Sequence, residues 1–450
     1  MTSLARVFGA LALGLAAACG SDAPDRPNVI LVIADTLRSD KLGTAGGPDG
    51  ITPYLDRIAG ESLRFDQARA HAPWTLPSTA SLLTSLHPEE HGAGGRVPDF
   101  TGLDDEVTTV VRSFRDAGYA THAIVNVAFL DPGVFGVTRD FETVDQVAYE
   151  TNVEVRAAGP TTTAALEWID AHAEDGPFLL LVHYFDPHCV YAPPMTFRER
   201  WARPEDRATD WTFGTRVQMV AIRRGELVPT RDELVRAEAL YDGEVSYLDA
   251  EIGRFDDGLA ARGLDEDSVL VVTADHGEEF LDHGGFEHGH TLYDELVHVP
   301  LFVRAPGRLE PRVVTAPARH IDVAPTLCEL CDVPLAPSFV GRSLVPLATG
   351  DEDMPRPTLA HGNFWGRPLT SWTFDGWKLV VDDEGAIELY DLASDPGERN
   401  DLAAAETKRV ASMRDQLDAV RAGMAALRRG EALELDDAKR GVLNGLGYGR

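Results

Sequence analysis

Apolar runs recur along this chain between longer stretches of helical period, and that alternation predicts the fold class. Residues 29–34 (Val-Ile-Leu-Val-Ile-Ala) are continuously apolar, as a central parallel strand covered on both faces must be. Strand-like segments recur at 120–125, 178–183, 269–273 and 300–303, with helical stretches near 107–117, 161–172 and 234–261. Thr52-Pro53 opens a further helix through Ile58, with Thr as cap and Pro at the first helical position. Strands alternating with helices predict an α/β domain on a mostly parallel sheet. Residues 195–232 are rich in Arg, Asp, Glu and Trp and lack a clear period, which predicts an insertion near a site entrance. Past about residue 350 the pattern shortens. Segments 371–374, 376–381 and 387–390 read as antiparallel strands, and a helix over 408–428 closes the chain.

The first 18 residues read as a targeting segment. Arg6 precedes an apolar run over 7–18, and Ala17-Ala18-Cys19 places small residues before a cysteine. This resembles a bacterial lipoprotein signal with Cys19 as the lipidated residue; the alternative is a secretory signal cleaved near Ala18. Either makes the protein exported, to the periplasm or cell surface. The expected organisation is a signal over 1–18, lipidated Cys and tether over 19–27, a catalytic domain over 28–350 and a C-terminal subdomain over 351–450. No later apolar run reaches bilayer-spanning length, so membrane contact is expected only through the lipid anchor. At 450 residues and 44% hydrophobic content the chain can bury a large core. A net charge of -32 argues against nucleic acid as a partner. Cys328-Glu-Leu-Cys331 has metal-like spacing but no second pair, so it reads as helix packing, with a disulfide left open.

Chemistry gathers at strand ends. The 29–34 run ends in Asp35, the 269–273 run leads to Asp275-His276-Gly277, and Thr75-Leu-Pro-Ser-Thr79 precedes an apolar helix. Two strands delivering Asp and Asp-His, with a hydroxyl at a helix start, suit a metal-activated nucleophile. Taken together, several pieces resemble the sulfatase family of the alkaline phosphatase superfamily. They are Pro27-Asn-Val-Ile-Leu-Val-Ile-Ala-Asp-Thr-Leu-Arg-Ser-Asp40, Thr52-Pro-Tyr-Leu-Asp-Arg-Ile-Ala59, Ala72-Pro-Trp-Thr-Leu-Pro-Ser78 and His87-Pro-Glu-Glu-His-Gly92. Thr273-Ala-Asp-His-Gly-Glu-Glu279, His288-Gly-His-Thr-Leu-Tyr-Asp-Glu295 and Glu388-Leu-Tyr-Asp-Leu392 continue the series in family order. The resemblance covers nearly all the mature chain. It implies an alkaline-phosphatase-like sandwich around a mostly parallel sheet, with a small C-terminal α+β subdomain.

The resemblance also assigns roles. Asp35, Asp275 and His276 match the family's metal ligands, joined by the oxygen of Thr75 at the nucleophile position, for one divalent cation: Ca²⁺, Mg²⁺, Mn²⁺ or Zn²⁺. A second metal is left open, with Asp186, His188, His288 and His290 as ligands. His288 is the first choice to protonate the leaving group, with His188 as the other, and Arg38 could hold an ester oxyanion or brace the nucleophile loop. His91, His183, Asp186 and His283 are substrate-binding candidates; His71 and His290 read as structural. Two departures matter. Family sulfatases carry Cys or Ser where Thr75 stands, oxidised to formylglycine, and Arg where Thr79 stands; Thr36 also replaces a further metal-binding Asp. A threonine cannot become that aldehyde, since its carbinol carbon bears a methyl group. The expectation is therefore direct attack by Thr75 on a phosphate mono- or diester, with sulfate esters, phospho-group transfer, or a non-catalytic binding lipoprotein as alternatives. The substrate is expected to be a small molecule, saccharide or lipid ester.

Overall fold

The computed structural model describes residues 26–96, 99–146, 155–173, 175–207, 211–350 and 355–424. The expected signal, Cys19, most of the tether and residues 425–428 of the expected closing helix lie outside the described residues.

Eight strands form the main sheet: β1 (Asn28–Ala34), β2 (Leu63–Phe65), β3 (Ala120–Val125), β4 (Thr143–Gln146), β5 (Phe178–Tyr184), β6 (Ser268–Ala274), β7 (Leu301–Arg304) and β8 (Arg312–Val314). Their order is β8-β2-β7-β6-β1-β5-β3-β4. Only β7 runs against its neighbours. β1 lies at the centre, parallel to both β5 and β6. The continuous apolar runs have the predicted cause: β5 and β6 are buried at all seven positions, so both pleat faces need apolar side chains. Each such Val, Leu or Ile contributes about 1.5–3 kcal/mol relative to exposure. Helices α1 (Pro53–Gly60), α2 (Thr75–Thr84), α3 (Val110–Asp116), α4 (Ala158–His172), α5 (Met195–Trp201), α6 (Arg216–Arg223) and α7 (Arg231–Ala260) surround the sheet.

The start of α1 departs from expectation. The Thr52 side chain does not cap it; Thr52 Oγ1 accepts from Gly43 N and donates to Asp56. Asp249 of α7 takes the first-turn amides instead, from Tyr54 N at 3.1 Å and Leu55 N at 2.7 Å. The 195–232 segment is helical at α5 and α6.

The C-terminal subdomain is a four-stranded antiparallel meander, β9 (Thr358–His361), β10 (Leu369–Phe374), β11 (Trp377–Asp382) and β12 (Ile387–Asp391), covered by α8 (Thr407–Gly423). Its own core contains Leu359, Trp372, Leu379, Leu389, Met413 and Leu417. Lys378 is fully buried, 2.9 Å from Asp294 and 2.9 Å from Glu398, and Arg69 pairs with the other oxygen of Asp294 at 2.6 Å. This charge network ties the meander to the segment after β6. Cys328 and Cys331 are buried and not disulfide-bonded to each other.

Candidate active site

Parallel register brings the strand ends together. Ala34 of β1 pairs with Tyr184 of β5 and with Ala274 of β6. Asp35, one residue beyond β1, thus lies beside Asp275, one residue beyond β6, with His183 on the neighbouring strand. Asp35 N donates to Tyr184 O at 2.9 Å, fixing the exit of β1. Thr36 then turns sharply with φ 60°, an unusual conformation for a β-branched residue. Ligand atoms of Asp35, His183 and Asp275 all lie within 4.8 Å of one another, and all three residues are fully buried. His276 Nε2 adjoins the group, 3.5 Å from Asp35 Oδ1 and 3.4 Å from Asp275 Oδ2.

The polar atoms of this group point to a cation. Both oxygens of Asp35, Asp275 Oδ2 and His183 Nε2 are buried without a hydrogen-bond partner among the described residues. Burial, then the charge of Asp275, pushes the Asp35 carboxyl well above the usual carboxylate range. Orphaned, mutually repelling carboxylates are costly unless a cation joins them. Oxygen donors with imidazole nitrogen suit a divalent ion. Asp35, Asp275, His276 and His183 would hold it; His183 entered the sequence reading only as a substrate-binding candidate.

Thr75 is the first residue of α2 and is buried. His276 Nδ1 bonds the Gly277 carbonyl at 3.0 Å, which places its proton there and leaves Nε2 as an acceptor. The Thr75 hydroxyl lies 3.4 Å from that Nε2. The amide end of α2 favours negative charge on the Thr75 oxygen. Ser78 anchors the same helix, its hydroxyl donating to Asp275 O at 2.5 Å and contacting His320 Nδ1 at 3.2 Å.

Three imidazoles line up beyond Thr75. The His276 and His288 rings are 4.5 Å apart between centres, and His288 and His188 4.9 Å. His288 Nδ1 bonds Glu278 Oε1 at 2.9 Å, and Tyr191 OH donates to the other oxygen of Glu278 at 2.8 Å. Burial, reinforced by His276 and Arg223, holds His288 well below its usual pKa. Burial and the neighbouring His288 likewise hold His188 near 3. Over this site close Arg223 of α6, bonded to Glu287 and 3.5 Å from the centre of the Trp365 ring, and the 364–365 backbone, which donates to Gly289 O.

Other expected residues are placed elsewhere. Arg38 braces the nearby loops: its guanidinium bonds Asp40, Asp282 and Glu278 O, and its amide bonds Tyr241. That leaves its donors committed away from an ester oxyanion. His91 bonds Ser81 and accepts from Ala93 N, joining α2 to the chain that follows it. His283 bonds Glu295 and Glu398 O and stacks on Tyr293. Both are structural, because their ring nitrogens are taken by these partners. The set considered for a second metal does not converge: His290 bonds Glu279, His288 bonds Glu278, and Asp186 interacts with Glu244. Among the described residues the only group of three convergent ligands is the one around Asp35. Glu278 and Tyr191 escaped the sequence reading. Glu278 stands in the Asp275-His276-Gly277-Glu278 run and was findable; nothing in the sequence marks Tyr191.

The Sulfatase family model matches residues 27–333, and that of the N-sulphoglucosamine sulphohydrolase C-terminal region matches residues 281–423. An uncharacterized sulfatase, YidJ, of Escherichia coli strain K12 is 25% identical over 421 residues, covering 84% of this chain and 83% of its own. An arylsulfatase of Clostridium perfringens is 25% identical over 447 residues, covering 85% and 91%. Among solved structures, a protein in complex with its substrate D-glucosamine-2-N,6-O-disulfate superposes with a TM-score of 0.73 at 21% identity, covering 88% of this chain and 98% of that one. The phosphonate monoester hydrolase of Agrobacterium radiobacter superposes with a TM-score of 0.71 at 22% identity, covering 89% and 96%.

Proposed function

The chain belongs to the sulfatase family, a hydrolase of sulfuric or phosphoric ester bonds, and on that premise we propose a metal-dependent phosphoesterase with Thr75 as its nucleophile. The observation that carries this is the Thr75 hydroxyl, 3.4 Å from His276 Nε2 at the start of α2, beside the orphaned carboxylates of Asp35 and Asp275. Thr75 Oγ gives up its proton to water at the site, from which His288 takes one up, and forms the new bond to phosphorus as the bond to the leaving alcohol oxygen breaks. His288, oriented through Nδ1 by Glu278, is the group placed to pass a proton to that oxygen. An anionic ester beside His288 would raise its affinity for that proton. Water then cleaves the Thr75 ester and restores the hydroxyl. A divalent cation held by Asp35, Asp275, His276 and His183 would supply charge neutralisation for the ester oxygens and acidify the Thr75 hydroxyl.

Phosphorus is preferred over sulfur because Thr75 closes the formylglycine route. Sulfate esters are the second reading, favoured by the arylsulfatase relatives. Export with a lipid at Cys19 is part of the proposal. The test is hydrolysis of matched nitrophenyl phosphate, phosphate diester, phosphonate and sulfate esters with added Mn²⁺, Zn²⁺ or Ca²⁺, each beside Thr75→Ala. Phosphorus-ester turnover lost in the variant is expected. Sulfate turnover that needs Thr75 would replace the phosphoesterase reading, and turnover indifferent to Thr75 would remove it as nucleophile.

A further inference from the structure

Next to the site is a cavity of about 400 Å³. His188 forms part of its wall and is the link to the site, its ring packed on that of His288. Phe185, Met219 and Tyr247 give the cavity apolar surface. The insertion contributes Met219, a residue of α6, so this wall belongs to the part of the chain with no readable sequence code.

Into this apolar space are set Asp186 and Glu244. Asp186 is 9% exposed, and its Oδ2 is buried without a hydrogen-bond partner among the described residues. Glu244, 5% exposed, accepts from Ala192 N at 2.7 Å. The two carboxyls hydrogen-bond each other, which requires a shared proton. The other charged lining residues are Glu287, already held by Arg223, and Arg216, exposed at the rim. Among the described residues no third ligand joins Asp186 and Glu244 to make a metal set. Asp186 Oδ2 thus has no donor among the described residues, beside a second carboxyl and with Arg216 only at the rim, and such an oxygen suits a ligand that brings both N–H and positive charge.

We propose that this cavity receives the alcohol part of the ester and that Asp186, backed by Glu244, binds a protonated amine on it. The proposal rests on the ester-hydrolase reading above and narrows it to esters of amino alcohols. Binding needs no redox step: the amine donates N–H to Asp186 Oδ2, and the proton shared by the carboxyls is released to solvent as the cation replaces it. The cavity volume and its apolar walls suit a compact ring or chain bearing the amine.

The test compares phosphate and sulfate esters of 4-aminocyclohexanol with those of cyclohexanol, which share a body and differ in the amine. Release of phosphate or sulfate is measured for the wild type, Asp186→Asn and Glu244→Gln. The wild type is expected to favour the amino ester in kcat/KM by about tenfold or more, the range of a hydrogen bond to a charged group. The preference should appear mainly in KM and fall to near one in Asp186→Asn. A wild-type ratio of one or below overturns the proposal whatever the variants do, as does a ratio that survives both substitutions. Calorimetric binding of 4-aminocyclohexanol against cyclohexanol separates the two readings. Amine-selective binding that needs Asp186, with no ester cleaved, would uphold the cavity's role and overturn the hydrolase reading. Cleavage without amine selectivity would do the reverse.

Discussion

Replacing Asp35 by Asn should change stability in opposite directions with and without a divalent cation. The ligand oxygens of Asp35 and Asp275 lie within 4.8 Å of each other, and both residues are fully buried. At an effective dielectric of ~20, two such charges repel by about 3.5 kcal/mol. Asp35 accepts no side-chain hydrogen bond that an amide would forfeit, and the new NH₂ finds the unpartnered Asp275 Oδ2 beside it. In EDTA the variant should therefore be the more stable protein, by about 2–3 kcal/mol once the cost of fixing the amide is allowed for. With a cation at a hundred times its Kd the wild type gains about 2.7 kcal/mol, most of which the variant forgoes. For a chain of 450 residues the unfolding entropy is about 1 kcal/mol per degree. The variant should thus unfold about 2–3 °C higher in EDTA, the two curves should meet near a hundred times Kd, and the wild type should lead at higher cation. The assay is thermal unfolding at pH 8.5, where protonation of Asp35 least relieves the repulsion, in EDTA and then in Ca²⁺, Mg²⁺, Mn²⁺ or Zn²⁺. A wild type indifferent to every cation, together with an Asn variant that is less stable in EDTA, would refute the reasoning.

Two further outcomes follow from the packing around the site. Lys378→Met should cost about 3–5 kcal/mol, because it leaves Glu398 and half of the Asp294 pairing uncompensated inside the protein. Burial already pushes Glu398 up to about 7 despite Lys378. A raised folded pKa means stability held at low pH and lost as pH rises through that value, so the cost should be smaller at pH 6 than at pH 8.5. Denaturant midpoints at the two pH values measure it; a larger loss at pH 6 would contradict the assignment, and Glu398→Gln should restore part of the loss at pH 8.5. Gly277→Ala places a methyl 2.0 Å from the backbone oxygen of Glu295, which cannot move aside without shifting the strand end that carries Asp275 and His276. Ester turnover should fall about 100-fold, the penalty of a displacement near 1 Å, and the cation-dependent rise in unfolding temperature should shrink; a folded variant with normal values of both would refute it.

The sequence made legible what depends on neighbours along the chain. Continuous apolar runs announced β1, β5 and β6 because a strand covered on both faces has no polar face to interrupt it. Asp35 and Asp275 were readable because a residue just past such a strand lies at the sheet edge. His183 was misplaced for the same reason: it sits inside β5, in a run that reads as core, and only its register beside Ile33 of β1 brings it to Asp35. The cap of α1 shows the limit equally. Thr52-Pro53 is a sound local signal, yet Asp249, about two hundred residues further on, reaches the amides first. Arg38, His91 and His283 carry side chains fit for catalysis, and nothing local tells that Asp282, Ser81 or Glu295 will occupy them. Chemistry was legible; pairing through space was not.

Two local rules are broken together beside Asp35. Thr36 sits at φ 60°, where a β-branched residue bears about 1–3 kcal/mol of strain. Its hydroxyl has no hydrogen-bond partner among the described residues, like those of Asp35 and Asp275 Oδ2. A turn so costly persists only if its surroundings over-determine it. Here Thr36 N donates to Asp275 Oδ1 at 3.3 Å, Tyr241 OH donates to Thr36 O at 2.7 Å, and Arg38 N donates to Tyr241 at 3.0 Å. Those bonds hold the turn from three sides, and none of them satisfies Asp35. The scaffold thus spends its hydrogen bonds on fixing the direction of a carboxylate that it leaves unpartnered. Such an arrangement makes sense only if the partner arrives from outside the chain, which is why the Asp35 crossover in cation is the sharpest test of the site.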